Sequence, residues 1–354
     1  MKGLLLGKAG IRFALLALLS VLLPSCESVQ YYSQAARGQM EILFGRQDIE
    51  KLLSRSDISE ELRERLQTVL AIRRFAEEEL ALPVNDNYKT YVDLQRDHVV
   101  WNVFAAEEFS TQAMEWCYPI AGCVTYRGYF SEAAALRYAN KLEDEGFDVY
   151  TGGVDAYSTL GWFEDSLLST VINRSDYQLA GLIFHELAHQ VLYLPGDTTF
   201  NESFATAVER EGIRRWLQSI EQEELFEDAN LGLQRQQEFA ALIIDWRDKF
   251  TELYQQEVSE SEMRGKKSEL QTQLRYAYTE LQESWDGYAG YDNWFNQSLN
   301  NAQLSTVGSY NDLVPKFAAL LKRNGGDFGE FYQAVEGLME LPEDERNAAL
   351  DALL

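Results

Sequence analysis

The stretch from Tyr177 to Leu194 constrains the fold more than any other part of this chain. Leu182, Ile183, Phe184, Leu187, Val191 and Leu192 make it apolar enough for a core helix, and Pro195-Gly196 ends it. Inside it lies His185-Glu186-Leu187-Ala188-His189. Residues four apart sit one turn along on the same helical face, so both imidazoles can reach one ion. Glu186 points sideways from that face and can meet a water at the ion without ligating the ion itself. The chain has three histidines. The third, His98, lies in a strand-like segment, where a packing or surface role is expected. A third ligand must therefore be a carboxylate.

Asn201-Glu202-Ser203-Phe204-Ala205 follows on the next predicted helix, which Asp197 or Thr198 caps and which runs to about Leu217. If the two helices are antiparallel and joined by Leu194 to Asp197, Glu202 returns towards His185 and His189. The expected set is one Zn2+ per chain held by His185, His189 and Glu202, with a fourth position open for water. Such an ion polarises an amide carbonyl, and Glu186 is the expected general base.

The segments His185-Glu186-Leu187-Ala188-His189-Gln190 and Asn201-Glu202-Ser203-Phe204-Ala205-Thr206-Ala207-Val208-Glu209 together resemble the zinc motif of the aminopeptidase N-like gluzincins. More narrowly, most of the chain resembles a family of bacterial lipoproteins described as predicted aminopeptidases. The likeness is carried by Tyr31-Tyr32-Ser33-Gln34-Ala35, by Gly122-Cys123-Val124-Thr125-Tyr126-Arg127-Gly128-Tyr129-Phe130 and by Ser158-Thr159-Leu160-Gly161-Trp162-Phe163. It implies Glu202 as the third zinc ligand and Glu209, two turns further on the same face, as a carboxylate that orients a ligand. It also implies an extended peptide substrate laid along a sheet edge before the zinc helix. Gly161 and Trp162 are the residues there that form the edge or the adjoining wall, unless Trp162 is simply core. An oxyanion donor is needed. Among Tyr288, Tyr291 and Tyr310, which follow the zinc helices, Tyr310 is the assignment. The chain departs from the large aminopeptidases in two ways. Its gap between His189 and Glu202 is shorter, and it has no Gly-x-Met-Glu-Asn segment to grip a free amino group.

The N-terminus is a different kind of sequence. Lys2, Lys8 and Arg12 precede an apolar run, Phe13 to Leu23, which is shorter than the roughly 20 residues of a membrane span. Leu23-Pro24-Ser25-Cys26 resembles a bacterial lipobox, so residues 1–25 read as a lipoprotein signal and Cys26 as the lipidated residue. An ordinary signal peptide and an uncleaved anchor are the alternatives. The expected location is the periplasmic side of a bacterial cell envelope, with the domain tethered to a membrane by its acyl chains. Cys117 and Cys123 are close in sequence and flank Pro119 and Gly122. A disulfide is expected, with two metal thiolates as the alternative. The formal net charge of −26 excludes a nucleic-acid partner of the usual kind, which depends on Lys and Arg at phosphates.

The predicted fold is α+β and mostly helical, a gluzincin-like core in a single domain over residues 26–354. Its N-terminal part, 27–90, is helical. Residues 91–217 hold a small mixed sheet and the two zinc helices. Within them Ser131 caps a helix from Glu132 to Glu145, and a strand from Phe147 to Thr151 stops at Gly152-Gly153. Residues 218–284 form a long charged helical hairpin that breaks near Val258 to Lys266, and its charged faces are either solvated or bind an envelope partner. Residues 285–354 add helices at Asn300 to Leu321 and Phe328 to Leu341. Two further function classes stay open at this level: a noncatalytic envelope scaffold, and a zinc hydrolase of non-peptide amides.

Overall fold

The computed structural model describes residues 28–118, 122–156, 164–308 and 313–354. A helix α1 over residues 28–45 leads into a two-residue strand β1 (Gln47–Asp48), then α2 (Ile49–Leu53) and α3 (Glu60–Leu80). Ser59 caps α3 through a hydrogen bond accepted from the Leu62 amide. Ala81 closes it in the left-handed region, two residues before Pro83.

The middle of the chain alternates short strands with one helix: β2 (Thr90–Val92), β3 (Val100–Glu107), β4 (Trp116–Tyr118), β5 (Gly122–Val124), β6 (Arg127–Tyr129), α4 (Glu132–Asp144), β7 (Phe147–Val154) and β8 (Leu167–Leu168). The expected single small sheet is in fact three. One is mixed, in the order β1-β2-β8, with β2 antiparallel to β1 and parallel to β8. The second is antiparallel in the order β6-β3-β7 and is covered by α4. The third is the β4–β5 ribbon, in which Cys117 faces Cys123 and the two form a disulfide.

Gly152 and Gly153 do not stop β7, contrary to the sequence expectation. They pair with Asn102 and Trp101 of β3. A Cβ on Gly153 would lie 2.2 Å from the His98 ring, so this glycine makes room for a side chain on the sheet face. His98 packs there against Trp101 and is hydrogen-bonded to Asp155.

The rest is helical: α5 (Asp176–Val191), α6 (Thr198–Ser219), α7 (Leu225–Tyr254), α8 (Glu260–Ser284), α9 (Asp292–Phe295), α10 (Asn301–Leu304), α11 (Val314–Arg323), α12 (Phe328–Met339) and α13 (Glu343–Asp351). The helix expected from Asn300 to Leu321 is not continuous: α10 ends at Leu304, and Pro315, which lacks a backbone donor, sits in the first turn of α11. Leu66, Ile72, Leu80, Leu179, Phe184, Phe204, Phe317 and Phe331 belong to one buried core. It joins α3, α5, α6, α11 and α12 around the α5–α6 pair. The α7–α8 hairpin has its own cluster, where Phe239, Trp246, Phe250, Leu274 and Tyr278 meet Phe295, Leu299 and Leu304. Its junction with the β6-β3-β7 sheet is polar. Lys267, almost fully buried, donates to Asp148 Oδ2 at 2.6 Å and to the Glu108 carbonyl at 2.7 Å. Among the described residues, no helix is long and apolar enough to cross a membrane.

Candidate active site

Helix α5 starts with a reciprocal capping box. Ser175 accepts from the Gln178 amide, and the Gln178 side chain reaches back to the Ser175 amide. The helix ends where Leu192 turns extended. Pro195 and Gly196 follow, with Gly196 at φ 88°, a conformation that suits glycine. Asn201 fastens this turn from the next helix. Its side chain accepts from the Leu194 amide at 2.7 Å and donates to the Leu194 carbonyl at 2.8 Å. Asp197 caps α6 by accepting from the Phe200 amide, and Arg346 grips the same carboxylate at 2.7 Å. The connection is therefore as compact as the short gap between His189 and Glu202 demands.

Two glycines let α5 and α6 approach closely. A Cβ on Gly181 would lie 2.8 Å from Ile213 Cδ1 and 3.0 Å from Glu209 Oε1; one on Gly212 would lie 2.7 Å from Phe184 Cδ2. A side chain at Gly212 would press on the buried Phe184 ring, and one at Gly181 would displace the ends of the Ile213 and Glu209 side chains.

The close approach brings three ligand-type side chains together. His185, His189 and Glu202 each offer an atom, and these atoms all lie within 4.8 Å of one another. His185 Nε2 is 3.2 Å from His189 Nε2 and 3.3 Å from Glu202 Oε2. His189 Nε2 is 3.7 Å from Glu202 Oε1. A tetrahedral ion with bonds of about 2.0–2.2 Å keeps its ligand atoms about 3.3–3.6 Å apart, so the donor set fits a small divalent ion. On the other side of the His185 ring, Nδ1 is 3.0 Å from Glu209 Oε2. That carboxylate fixes the ring and leaves Nε2 facing the cluster. His189 has no such support. Its Nδ1 is buried without a hydrogen-bond partner among the described residues, so the ring is placed by packing and by its Nε2 contacts.

The electrostatics favour a positive charge at the centre. Burial opposes charge on His185, but hydrogen bonds to Glu202 and Glu209 outweigh it and hold the imidazole pKa up to about 10. Burial, then the charge on His185, pushes His189 down to about 4. Burial would raise Glu202, yet the hydrogen bond from His185 and the two imidazoles bring it below its ordinary value.

Glu186 is half-buried on the neighbouring face of α5. Near it lies a residue that sequence reasoning missed. Tyr88 is buried, with 5% of its surface exposed. Burial, then the Glu186 and Asp165 carboxylates, hold its phenol pKa well above the ordinary value. Its φ of 56° is rare for a bulky side chain and is the kind of strain that collects at functional sites. The turn that imposes it is tied down on all sides. Asn87 donates to Gln190 Oε1 at 2.9 Å and accepts from the Asp165 amide at 2.8 Å, and the Tyr88 amide donates to the Asp165 carbonyl at 2.7 Å. Arg73 holds the Asn85 and Asn87 carbonyls. The only sequence signal was the run Asn85-Asp86-Asn87, which marked a turn but not its partner. Tyr193, one turn beyond His189, was also overlooked. Its ring stands 6.4 Å from the His189 ring and is 46% exposed.

Of the other expected residues, Cys26, Gly161, Trp162 and Tyr310 lie outside the described residues. Leu313, the first residue described after Tyr310, donates its amide to Ser203 Oγ at 3.2 Å, beside Glu202. Tyr288 and Tyr291 belong to the hairpin. Tyr291 stacks on Phe239 with ring centroids 4.2 Å apart, and Tyr288 lies under the Arg235 guanidinium.

The α5–α6 frame thus gathers His185, His189 and Glu202 within reach of one ion, with Glu209 behind His185. The chain belongs to the family described as "Putative aminopeptidase", whose model matches residues 30–350. That match includes the whole α5–α6 pair. No curated protein and no solved structure matches the chain.

Proposed function

We propose that this protein is a zinc-dependent peptidase of the gluzincin type, acting as an aminopeptidase. The observation that carries the reading is the convergence of His185, His189 and Glu202 within 4.8 Å, with the Glu209 carboxylate behind His185. These three side chains would hold the ion. A bound zinc supplies Lewis acidity toward a scissile carbonyl and lowers the pKa of water. Glu186 takes the proton of the attacking water on its carboxylate and returns it to the leaving amine. Glu209 keeps the His185 ring turned to its task. Tyr88, whose phenol feels the Glu186 charge, Tyr193, whose ring stands 6.4 Å from that of His189, and Tyr310 are the candidates for the oxyanion donor. Gly161 and Trp162 remain the proposed edge for an extended peptide.

The proposed address is the periplasmic side of a bacterial envelope, with Cys26 lipidated and residues 1–25 removed. The disulfide of Cys117 and Cys123 supports a compartment outside the cytoplasm. The apolar face of the α7–α8 hairpin is covered by α9 and α10. Its outer faces, mostly charged but with Leu231 and Tyr276 exposed, are left for an envelope partner.

The test is zinc content by elemental analysis, followed by release of amino acids from a peptide mixture by wild type and Glu186→Gln. Zinc near one equivalent and a loss of about 10²–10⁴-fold in turnover in the variant are expected. A chain that binds no zinc, or a variant that retains zinc and wild-type turnover, overturns the reading.

A further inference from the structure

The second chemical feature of the molecule lies away from α5 and α6. A cavity of about 830 Å³ opens between α1 and the β6–α4 corner. Four cations line it, Arg37, Arg127, Arg137 and Lys141, against one carboxylate, Glu41. That carboxylate is already engaged by Arg96 at 2.8 Å. In a chain with 57 acidic and 31 basic residues, such a concentration of positive charge is not a sampling of the average surface. Arg127 is held rigidly, its guanidinium 4.3 Å from the Tyr31 ring and 4.4 Å from the Tyr138 ring. Neither Arg37 nor Arg137 has a carboxylate within ion-pair distance among the described residues.

Beside the cavity runs an exposed apolar stripe. Val29, Tyr32, Met40 and Phe44 are 63%, 48%, 44% and 80% exposed. At about 100° per residue they fall on one face of α1, next to the face that carries Arg37. Single exposed apolar residues mean little, but a continuous stripe flanking a basic cavity is the pattern of a helix that lies in a membrane interface. The sequence before α1 also ends in an apolar run, Phe13 to Leu23, and Cys26. Under the membrane address proposed above, on which this inference rests, α1 lies next to the anchored segment.

We infer that this corner docks on an anionic bilayer, with the stripe of α1 in the headgroup boundary and a lipid phosphate in the Arg37–Arg127–Arg137–Lys141 cavity. The dock orients the domain. It shares no residue with the peptidase site, so either reading can fail without the other.

The test is hydrogen exchange on the full chain reconstituted in vesicles of phosphatidylcholine alone or with phosphatidylglycerol. Amides of residues 28–45 and 127–141 are expected to exchange on the order of tenfold more slowly with phosphatidylglycerol. The double variant Arg37→Gln/Arg137→Gln should lose that difference, and Arg37→Lys/Arg137→Lys should keep it. Met40→Ser/Phe44→Ser should lose protection of 28–45. Thermal melting of each variant in detergent checks that it is folded. Equal protection in both vesicles overturns the headgroup site. So does the same protection from inorganic phosphate in detergent, which would mark a soluble ligand. Absence of protection, or protection that follows protein concentration and so marks a second copy, overturns the dock.

Discussion

Glu209→Gln and Glu209→Ala separate a supporting carboxylate from a bystander. Glu209 Oε2 lies 3.0 Å from His185 Nδ1. The close helix contact at Gly181, where an added Cβ would lie 3.0 Å from Glu209 Oε1, limits where the side chain can go. Removing such a partner from a ligand histidine costs about 10–100-fold in metal affinity, or about 1.4–2.8 kcal/mol. A hydrogen bond to a carboxylate is roughly twice as strong as a neutral one. Gln keeps a neutral acceptor in place, so Glu209→Gln should lose about tenfold. Ala leaves Nδ1 without an acceptor, so its loss should approach a hundredfold. The side chain of Glu209 is 32% exposed, and water that replaces it keeps the effect from growing beyond that range. The assay is zinc competition against a chromophoric chelator near neutral pH, with melting curves of the metal-free chains beside it. Wild-type affinity in both variants refutes the orienting role. Complete loss of zinc in Glu209→Gln refutes it in the other direction, because it would make Glu209 a ligand in its own right.

Lys267→Met should lower stability by about 3–5 kcal/mol in urea unfolding, because it leaves Asp148 buried without its cation at the hairpin–sheet junction. A loss under about 1 kcal/mol would show that Asn301, whose amide also donates to Asp148 Oδ2 at 2.9 Å, satisfies that carboxylate alone. Tyr88→Phe removes one hydroxyl and preserves the packed ring, so stability should hold. If the phenol donates to a charged group during turnover, the rate should fall about 10–100-fold. Unchanged kcat and KM would return Tyr88 to the core as a packing residue.

Helix periodicity made the site legible, and contacts between distant segments did not. His185, Glu186 and His189 could be read because their spacing matches the helical turn, and Glu202 followed because no other histidine is near and a carboxylate on the next helix could return to them. The chain states both facts locally. The three small sheets were not legible in the same way. Strands of two or three residues, such as Gln47–Asp48 and Leu167–Leu168, carry too little alternation to show a period, and their pairing joins segments far apart in sequence. Gly152-Gly153 misled for a related reason. A glycine pair most often punctuates, but here one of the two serves the His98 ring across the sheet face.

Tyr88 shows where local rules reach their limit. Asn85-Asp86-Asn87 correctly signals a turn, yet nothing in it says that Asn87 will be claimed by Gln190 of α5 and by the Asp165 amide. Those two bonds hold a tyrosine in a left-handed conformation that its own sequence disfavours. A strained aromatic in a turn fixed from both sides is a cost that the rest of the fold must offset. The same logic applies to Gly181 and Gly212: each weakens its own helix by about 1 kcal/mol relative to alanine. Both lie at the α5–α6 contact, where Glu202 and Glu209 meet the two nitrogens of the His185 ring. The residues that look least favourable for their own element are the ones through which α5, α6 and the turn at Tyr88 become a single site.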